Sequence, residues 1–433
     1  MGMAAYPAYD SYKETHLEIA PTIPAHWQVW KVSHAFQKIG SGTTPDTGKA
    51  VFYGGGISWL QTGDLTDGSI TSTNKTISPL ALREFSTLKV YPPGSLVMAM
   101  YGATIGKLGK LEISAATNQA CCVFAESDVV TSDFAFYSLL AMRPYILADA
   151  YGGGQPNISQ QVIKAFQVIV PPLPEQRAIA AFLDDKCAKI DGAVKIKEDQ
   201  IALLRERRQI IIQDAVTSGL NPVAPMKDSA IDWIGQIPAH WEVRRSKFVF
   251  TQRKELARKD DIQLSATQSY GVIPQEEYEE LVGRRVVKIQ TNLEKRKHVE
   301  LDDFVISMRS FQGGLERAWA AGCIRSSYII LRPLEEICPT FFGYLFKSPR
   351  YIKALQTTAS FIRDGQDLNF ENFAMVDLFL PPISEQREIA KEIKRGCEKI
   401  ENGIAIKDRQ IEALKEYKTS LINAAVTGKI KVV

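Results

Sequence analysis

The sequence predicts an α+β protein: two similar α+β globular domains and two long helices that form a coiled coil, related by an internal pseudo-two-fold repeat. Three observations predict this. A stretch of 50 residues occurs twice, as Pro171–Leu220 and Pro381–Ile430, at a constant offset of 210 residues and without a gap. A second motif, Ile23-Pro-Ala-His-Trp27, returns as Ile237-Pro-Ala-His-Trp241, 214 residues on. Within the long stretches the apolar residues keep a 4-3 spacing. A repeat of this size decides the architecture, so every other reading is placed on it.

Each long stretch reads as one helix. The Pro-Pro pair cannot continue a helix from upstream and so marks a start. Glu175-Gln176 and Glu385-Gln386 follow in the first turn, where unpaired backbone N–H groups favour acceptors and negative charge. The seam of the first copy is Leu183, Cys187, Ile190, Val194, Ile201 and Leu204, continued by Ile211 and Ala215. The second gives Ile393, Cys397, Ile400, Ile404, Ile411 and Leu414, continued by Leu421 and Ala425. Such a seam, sustained over several heptads, is that of a coiled coil. Lys197 and Lys407 take the same seam position in both copies, where a polar residue fixes register. A helix of about 40 residues is roughly 60 Å long, too long for one globular core to enclose, and the nearest partner is the other copy.

The chain of 433 residues divides into a lead (1–27), a first variable domain (28–170), the central helix (171–220), a linker with the second Ile-Pro-Ala-His-Trp motif (221–241), a second variable domain (242–380) and the C-terminal helix (381–433). Trp27 and Trp241 read as buried anchors at the start of each globular part. In the first domain, β-like runs at Ile57–Leu60, Ser95–Met100, Cys121–Phe124 and Phe166–Val170 alternate with Gly/Pro-rich turns, and one helix is expected near Ser132–Asp149. The second domain repeats the framework with different contents: Phe304–Met308 takes the place of Ser95–Met100, and Arg325–Leu331 that of the strand after Asn118-Gln119.

Composition excludes several classes. No run of about 20 apolar residues is present, so no membrane span is expected. The N-terminus lacks the basic-then-apolar pattern of a secretory signal. None of the six cysteines forms a Cys-x-x-Cys pair and the five histidines do not cluster with them, which argues against a zinc site and for a reducing cytoplasm. The net charge of +3 neither requires nor excludes nucleic acid. No catalytic signature is found. The Pro-Pro pairs follow Tyr91, Val170 and Leu380, not the Asn/Asp of an aminomethyltransferase motif. Gly102-Ala-Thr-Ile-Gly-Lys107 is one residue short of a phosphate loop, and Leu108 stands where the magnesium-binding Ser/Thr would be. No catalytic residue and no metal ligand is therefore assigned.

Recognition remains. Basic clusters in the second domain (Arg244-Arg245, Arg253-Lys254, Arg258-Lys259, Arg284-Arg285, Lys295-Arg296-Lys297) are interleaved with Gln and Asn. Lys and Arg neutralise phosphates, and Arg, Asn and Gln read base edges. The candidate DNA-binding residues are Thr43, Thr44, Lys75, Tyr101, Lys107, Asn118, Gln119, Gln155 and Asn157 in the first domain. In the second they are Arg284, Arg285, Lys295, Arg296, Lys297, Arg309, Gln312, Arg317, Gln366 and Asn369. A solvated charged face is the competing reading for any one basic cluster.

These motifs together resemble the specificity (S) subunit of Type I restriction–modification systems. The two Pro-Pro-x-x-Glu-Gln helices with their Ala-Val-Thr endings (Ala215–Thr217, Ala425–Thr427), the repeated Ile-Pro-Ala-His-Trp, Gly102–Lys107 and Met308–Gly314 carry the resemblance over essentially the whole chain. The lead Lys13–Ala20 departs from the family's usual opening more than Lys227–Ile234 does. The resemblance implies two target recognition domains, each reading one half of a bipartite, asymmetric sequence in double-stranded DNA. It implies that the long helices pair antiparallel, set the half-site spacing and bind two methyltransferase (M) subunits, and that two restriction (R) subunits can join. It implies no cofactor in this chain, with S-adenosylmethionine, ATP and magnesium held by partner subunits, in a bacterial or archaeal cytoplasm. The alternative from another class is a protein-interaction scaffold, two globular modules on a coiled coil.

Overall fold

The computed structural model describes residues 6–148, 150, 157–286, 295–306, 314–358 and 369–432. The chain forms two compact units: 1–197 with 409–433, and 198–408. Both long helices are present, at Leu173–Ser218 and Ile383–Val426. The unit boundaries fall inside them. The first unit holds the N-terminal half of the central helix and the C-terminal half of the other, and the second unit holds the complementary halves. Compactness therefore divides each helix between the units and does not set the helices apart from the globular parts.

Within each unit the two helix segments run antiparallel. In the second, Leu204 lies beside Gly403 and Ile211 beside Gly396, and Arg208 pairs with Glu401. In the first, Lys418 Nζ donates to both carboxylate oxygens of Asp191 at 2.7 Å. These two ion pairs are one contact repeated, since Arg208 and Lys418, like Asp191 and Glu401, are 210 residues apart. Leu183, Cys187, Ile190, Val194, Ile201, Ile393, Cys397, Ile400 and Ile411 are buried, while Leu204, Ile404 and Leu414 are half-buried.

The first unit is built on a five-stranded sheet in the order Lys38–Gly40, Cys121–Ala125, Leu96–Ala99, Leu108–Leu111, Gly68–Ile70. The last pair is parallel and the others antiparallel. A second, three-stranded sheet sets Tyr53–Leu60 between Ala116–Thr117 and Lys75–Ile77. The expected helix occupies Ser132–Ala148. It packs its buried face (Phe134, Leu139, Met142, Ile146) into one core with Trp27, Leu183 and Leu421. The second unit keeps a four-stranded antiparallel version, Phe250–Arg253, Ile329–Pro333, Phe304–Ile306, Glu316–Arg317. The strand expected from Arg325 begins later, at Ile329, because Tyr328 N closes a turn onto Arg325 O at 3.1 Å.

One junction appears in both units and explains the repeated motifs. Trp27 and Trp241 are both 0% exposed. Each indole N–H donates to the first-turn glutamate of the helix that ends its own repeat, Trp27 to Glu175 at 3.0 Å and Trp241 to Glu385 at 3.1 Å. His26 and His240 meet the same glutamates at 2.7 Å. The glutamines that follow turn inward. Gln176 donates to Pro171 O at 2.8 Å and accepts from Thr131 N at 2.8 Å, and Gln386 donates to Pro381 O and accepts from Cys338 N, both at 2.9 Å. The Glu-Gln pair thus does more than supply charge to a helix start: the glutamate seizes the Ile-Pro-Ala-His-Trp motif and the glutamine ties the helix to its domain. A strand pair completes the junction, Gln28–Lys31 with Gln167–Val170 and Glu242–Arg245 with Asp377–Leu380. Glycine ends each long helix against a tryptophan. Gly428 (φ +74°) lies on Trp27 in the first unit, and Gly219 (φ +73°) on Trp241 in the second. A positive φ terminates the helix at no cost to glycine.

Candidate nucleic-acid interface

In the first unit a set of local contacts ties several of the sequence candidates together. Gly42 is the point of closest approach. A Cβ there would lie 1.7 Å from Thr117 O, so glycine alone lets the 41–45 loop lie against the turn at 117–119. Gly42 N donates to Thr117 Oγ1 at 3.1 Å and to Asn118 O at 3.2 Å. Trp59 Nε1 holds Thr43 O at 3.3 Å and Tyr53 Oη holds Pro45 O at 2.7 Å. Asn118 is buried, donates its N–H to Leu60 O, and accepts Ala120 N–H on Oδ1 at 3.1 Å. Gln119, next to it, is exposed and accepts from Thr44 Oγ1 at 2.6 Å. Lys75 joins the group through the sheet, paired with Trp59. Tyr101 is exposed and bridges to Asn157, and the strand-end residue Met100 bonds Ala120 and Ile158 through the backbone. Lys107 is exposed at the end of the same 101–107 loop. Gln155 lies outside the described residues.

The second unit treats its candidates differently. Arg284 and Arg285 are exposed just after the helix Gln275–Val282, and Lys295 is exposed. Arg296 is buried, with Nη1 4.0 Å from Cys323 Sγ. Lys297 donates to Tyr328 O at 2.7 Å. Arg317 is held by Asp302 (Nε, 2.7 Å) and Thr340 (Nη1, 2.8 Å) and stacks on Trp319 at 4.3 Å. Asn369 caps the helix Phe370–Met375. Arg309, Gln312 and Gln366 lie outside the described residues. Sequence reasoning passed over Arg325. It is exposed in the turn before strand Ile329–Pro333, as Asn118 and Gln119 stand before Cys121–Ala125, and its place just ahead of the equivalent strand was the signal that could have found it.

Several sequence-visible basic residues are absorbed into an internal ionic network. Arg253 meets Asp303 through Nε (2.7 Å) and Nη2 (3.1 Å) and Glu255 through Nη1 (2.8 Å). Arg258 pairs with Glu255 and Glu300. His298, 1% exposed, sits between Asp261 (2.9 Å) and Glu300 (2.8 Å). Burial works against its charge, but the hydrogen bonds to Glu300 and Asp261 prevail and hold the imidazole above its usual range. Nearby, burial pushes the Glu316 carboxyl up to about 7, against the pull of Lys347. Among the described residues no group of His, Cys, Asp and Glu side chains is arranged to hold a metal ion, and no helix is long and apolar enough to cross a membrane.

Residues 24–200 match the Type I restriction modification DNA specificity domain. Over 98% of this chain and 96% of its own length, the Type I restriction enzyme MjaVIII specificity subunit of Methanocaldococcus jannaschii is 24% identical. The chain is thus similar to Type I specificity subunits along nearly its whole length, and to their DNA specificity domain over residues 24–200. The fold agrees. The HsdS subunit from Thermoanaerobacter tengcongensis is similar with a TM-score of 0.54 at 15% identity, over 96% of this chain and 100% of that one. A chain solved in work on complex assembly and conformational transition of the type I R-M system gives a TM-score of 0.70 at 14% identity, over 94% and 99%. The chain has the mixed helix-and-strand architecture expected from its sequence, with the two long helices in place.

Proposed function

We propose that this chain is a specificity subunit, the non-catalytic DNA reader of a Type I complex. Each globular domain reads one half of a bipartite, asymmetric target in double-stranded DNA. The paired helices set the half-site spacing and bind two methyltransferase subunits, and restriction subunits join that assembly. S-adenosylmethionine, ATP and magnesium belong to the partners, and the complex works in the cytoplasm. The observation that carries this reading is the contrast inside the repeat: one junction geometry occurs twice, while the surfaces it carries differ, with hydroxyls, amides and two lysines among the first-unit candidates and exposed arginines in the second unit. Two domains on the same frame with different surfaces suit two different half-sequences, as half-site spacing follows the geometry of dimeric readers. The adenine to be methylated must leave the stack, so the reacting pocket belongs to the methyltransferase beside each domain.

The test is to map methyladenine in DNA from cells expressing this chain with its methyltransferase partner, and with the partner alone. A bipartite motif that requires this chain is expected. An identical methylation pattern in both, from an active partner, would overturn the reading.

A further inference from the structure

Thr44 and Gln119 form a contact that folding does not explain. Gln119 is exposed, so fixing its side chain forfeits rotamer freedom without burial in return. Yet both partners are held. The Thr44 backbone lies between two carbonyls that are each tied down, Thr43 O by Trp59 and Pro45 O by Tyr53, and the loop is seated on Thr117 through Gly42. Gln119 projects from a turn that buried Asn118 locks on both sides. The Thr44 hydroxyl then donates to Gln119 Oε1 at 2.6 Å. With the carbonyl oxygen engaged, the amide N–H groups are the part of the side chain left to recognise something.

We infer that Gln119 is a base-reading residue of the first half-site and that Thr44 is its positioning residue. This deepens the DNA-reading role proposed above and rests on it. An outward amide N–H pairs with a base carrying an acceptor on its major-groove edge, guanine (N7, O6), adenine (N7) or thymine (O4). It opposes cytosine, whose N4 presents only donors there. The base facing Gln119 is therefore not cytosine.

The experiment uses the full chain with its methyltransferase partner and maps methyladenine over a library of target sequences. Thr44→Val removes the hydroxyl at nearly constant shape. It is expected to keep the motif but to lower discrimination against cytosine about tenfold at one position of one half-site, the scale of one base contact. Gln119→Glu turns a donor into an acceptor and is expected to move that same position toward cytosine. Both variants methylating the wild-type motif without change, or relaxing both half-sites together, would overturn the assignment. If Gln119→Glu is inactive, Thr44→Val decides alone. A wild-type complex whose methylation does not depend on this chain would instead remove the DNA-reading role beneath the assignment, a failure recognisable because it needs no variant.

Discussion

The junction at Trp27 and the junction at Trp241 agree to about a tenth of an ångström in their tryptophan and histidine contacts, whereas the surfaces beyond them share little. In the first unit the recognition candidates are hydroxyls, amides, one tyrosine and two lysines, with Thr44 bonded to Gln119. In the second, arginines and acids fill the corresponding sequence, and Arg253, Arg258 and Arg317 are occupied by Asp303, Glu255, Glu300 and Asp302. The difference separates two kinds of constraint. A junction that must seat a 46- or a 44-residue helix on a domain admits one solution. A surface that reads a sequence has as many solutions as there are sequences, provided the frame beneath it holds.

The most damaging way to break that frame is to charge the seam. Ile190→Asp or Ile400→Asp would place a carboxylate among buried apolar side chains, which costs several kcal/mol. Loss of both the helix pairing and the assembly with the methyltransferase is expected by size-exclusion chromatography, and an intact complex would show that the helices do not carry the assembly. Trp27→Ala and Trp241→Ala come next, at about 3–5 kcal/mol each in denaturant unfolding. The two junctions should then part company at their glutamates. Glu175 accepts from Trp27, His26 and also Tyr9 (3.1 Å), while Glu385 accepts from Trp241 and His240. Removing an acceptor leaves buried donors unsatisfied at about 1–3 kcal/mol, so Glu175→Ala is expected to cost more than Glu385→Ala. Equal losses would mean that Tyr9 contributes nothing to the clamp.

A smaller effect, of opposite sign, belongs to the second unit alone. Glu316 is buried, and Lys347 approaches its Oε2 at 2.7 Å without hydrogen-bond geometry. Its carboxyl is raised to about 7 by burial, so the folded chain holds a proton that the unfolded chain releases at ordinary acidic pH. Stability therefore falls as pH rises from about 4.5 towards 7 and stays reduced above it. Glu316→Gln should raise the melting temperature at pH 8 and leave it nearly unchanged at pH 4.5, corresponding to about 1 kcal/mol or more. A loss of stability at pH 8 would mean that the Lys347 contact outweighs the burial cost. His298 acts in the same direction at higher pH: its raised pKa contributes stability below about 6.5 that is lost as pH climbs through the folded value.

What the sequence disclosed follows from what repeats. Two copies at constant offset exposed the helices, their seam and the tryptophan anchors, because periodicity and Pro-Pro starts are local signals. Local pattern also located the helix at Ser132–Ala148 and the central strands. It did not disclose that Glu175 and Glu385 reach back to tryptophans 148 and 144 residues away, since that contact joins the two ends of a domain. Nor could composition tell an exposed arginine from a paired one. Arg284 and Arg253 look alike in sequence, and only the fold puts Asp303 beside the second. Gln119 was selected as a loop amide, but the constraint on it comes from Gly42, Trp59 and Tyr53 in other segments.

The smallest test asks how alike the two halves are where they look most alike. Asp191–Lys418 and Glu401–Arg208 are the same interhelix pair in two units, yet Lys418 meets both Asp191 oxygens at 2.7 Å whereas Arg208 stands 3.4 Å from Glu401. All four side chains are substantially exposed, so water and side-chain entropy offset most of the attraction. Double-mutant cycles to alanine are expected to give about 0.2–1 kcal/mol for the shorter pair and less for the longer, both vanishing in molar salt. Coupling that survives high salt, or that is equal in the two halves, would mean that these pairs act through helix register and not through charge. Their recurrence at 210 residues would then reflect the geometry of the seam, with the polar pair serving to exclude neighbouring registers.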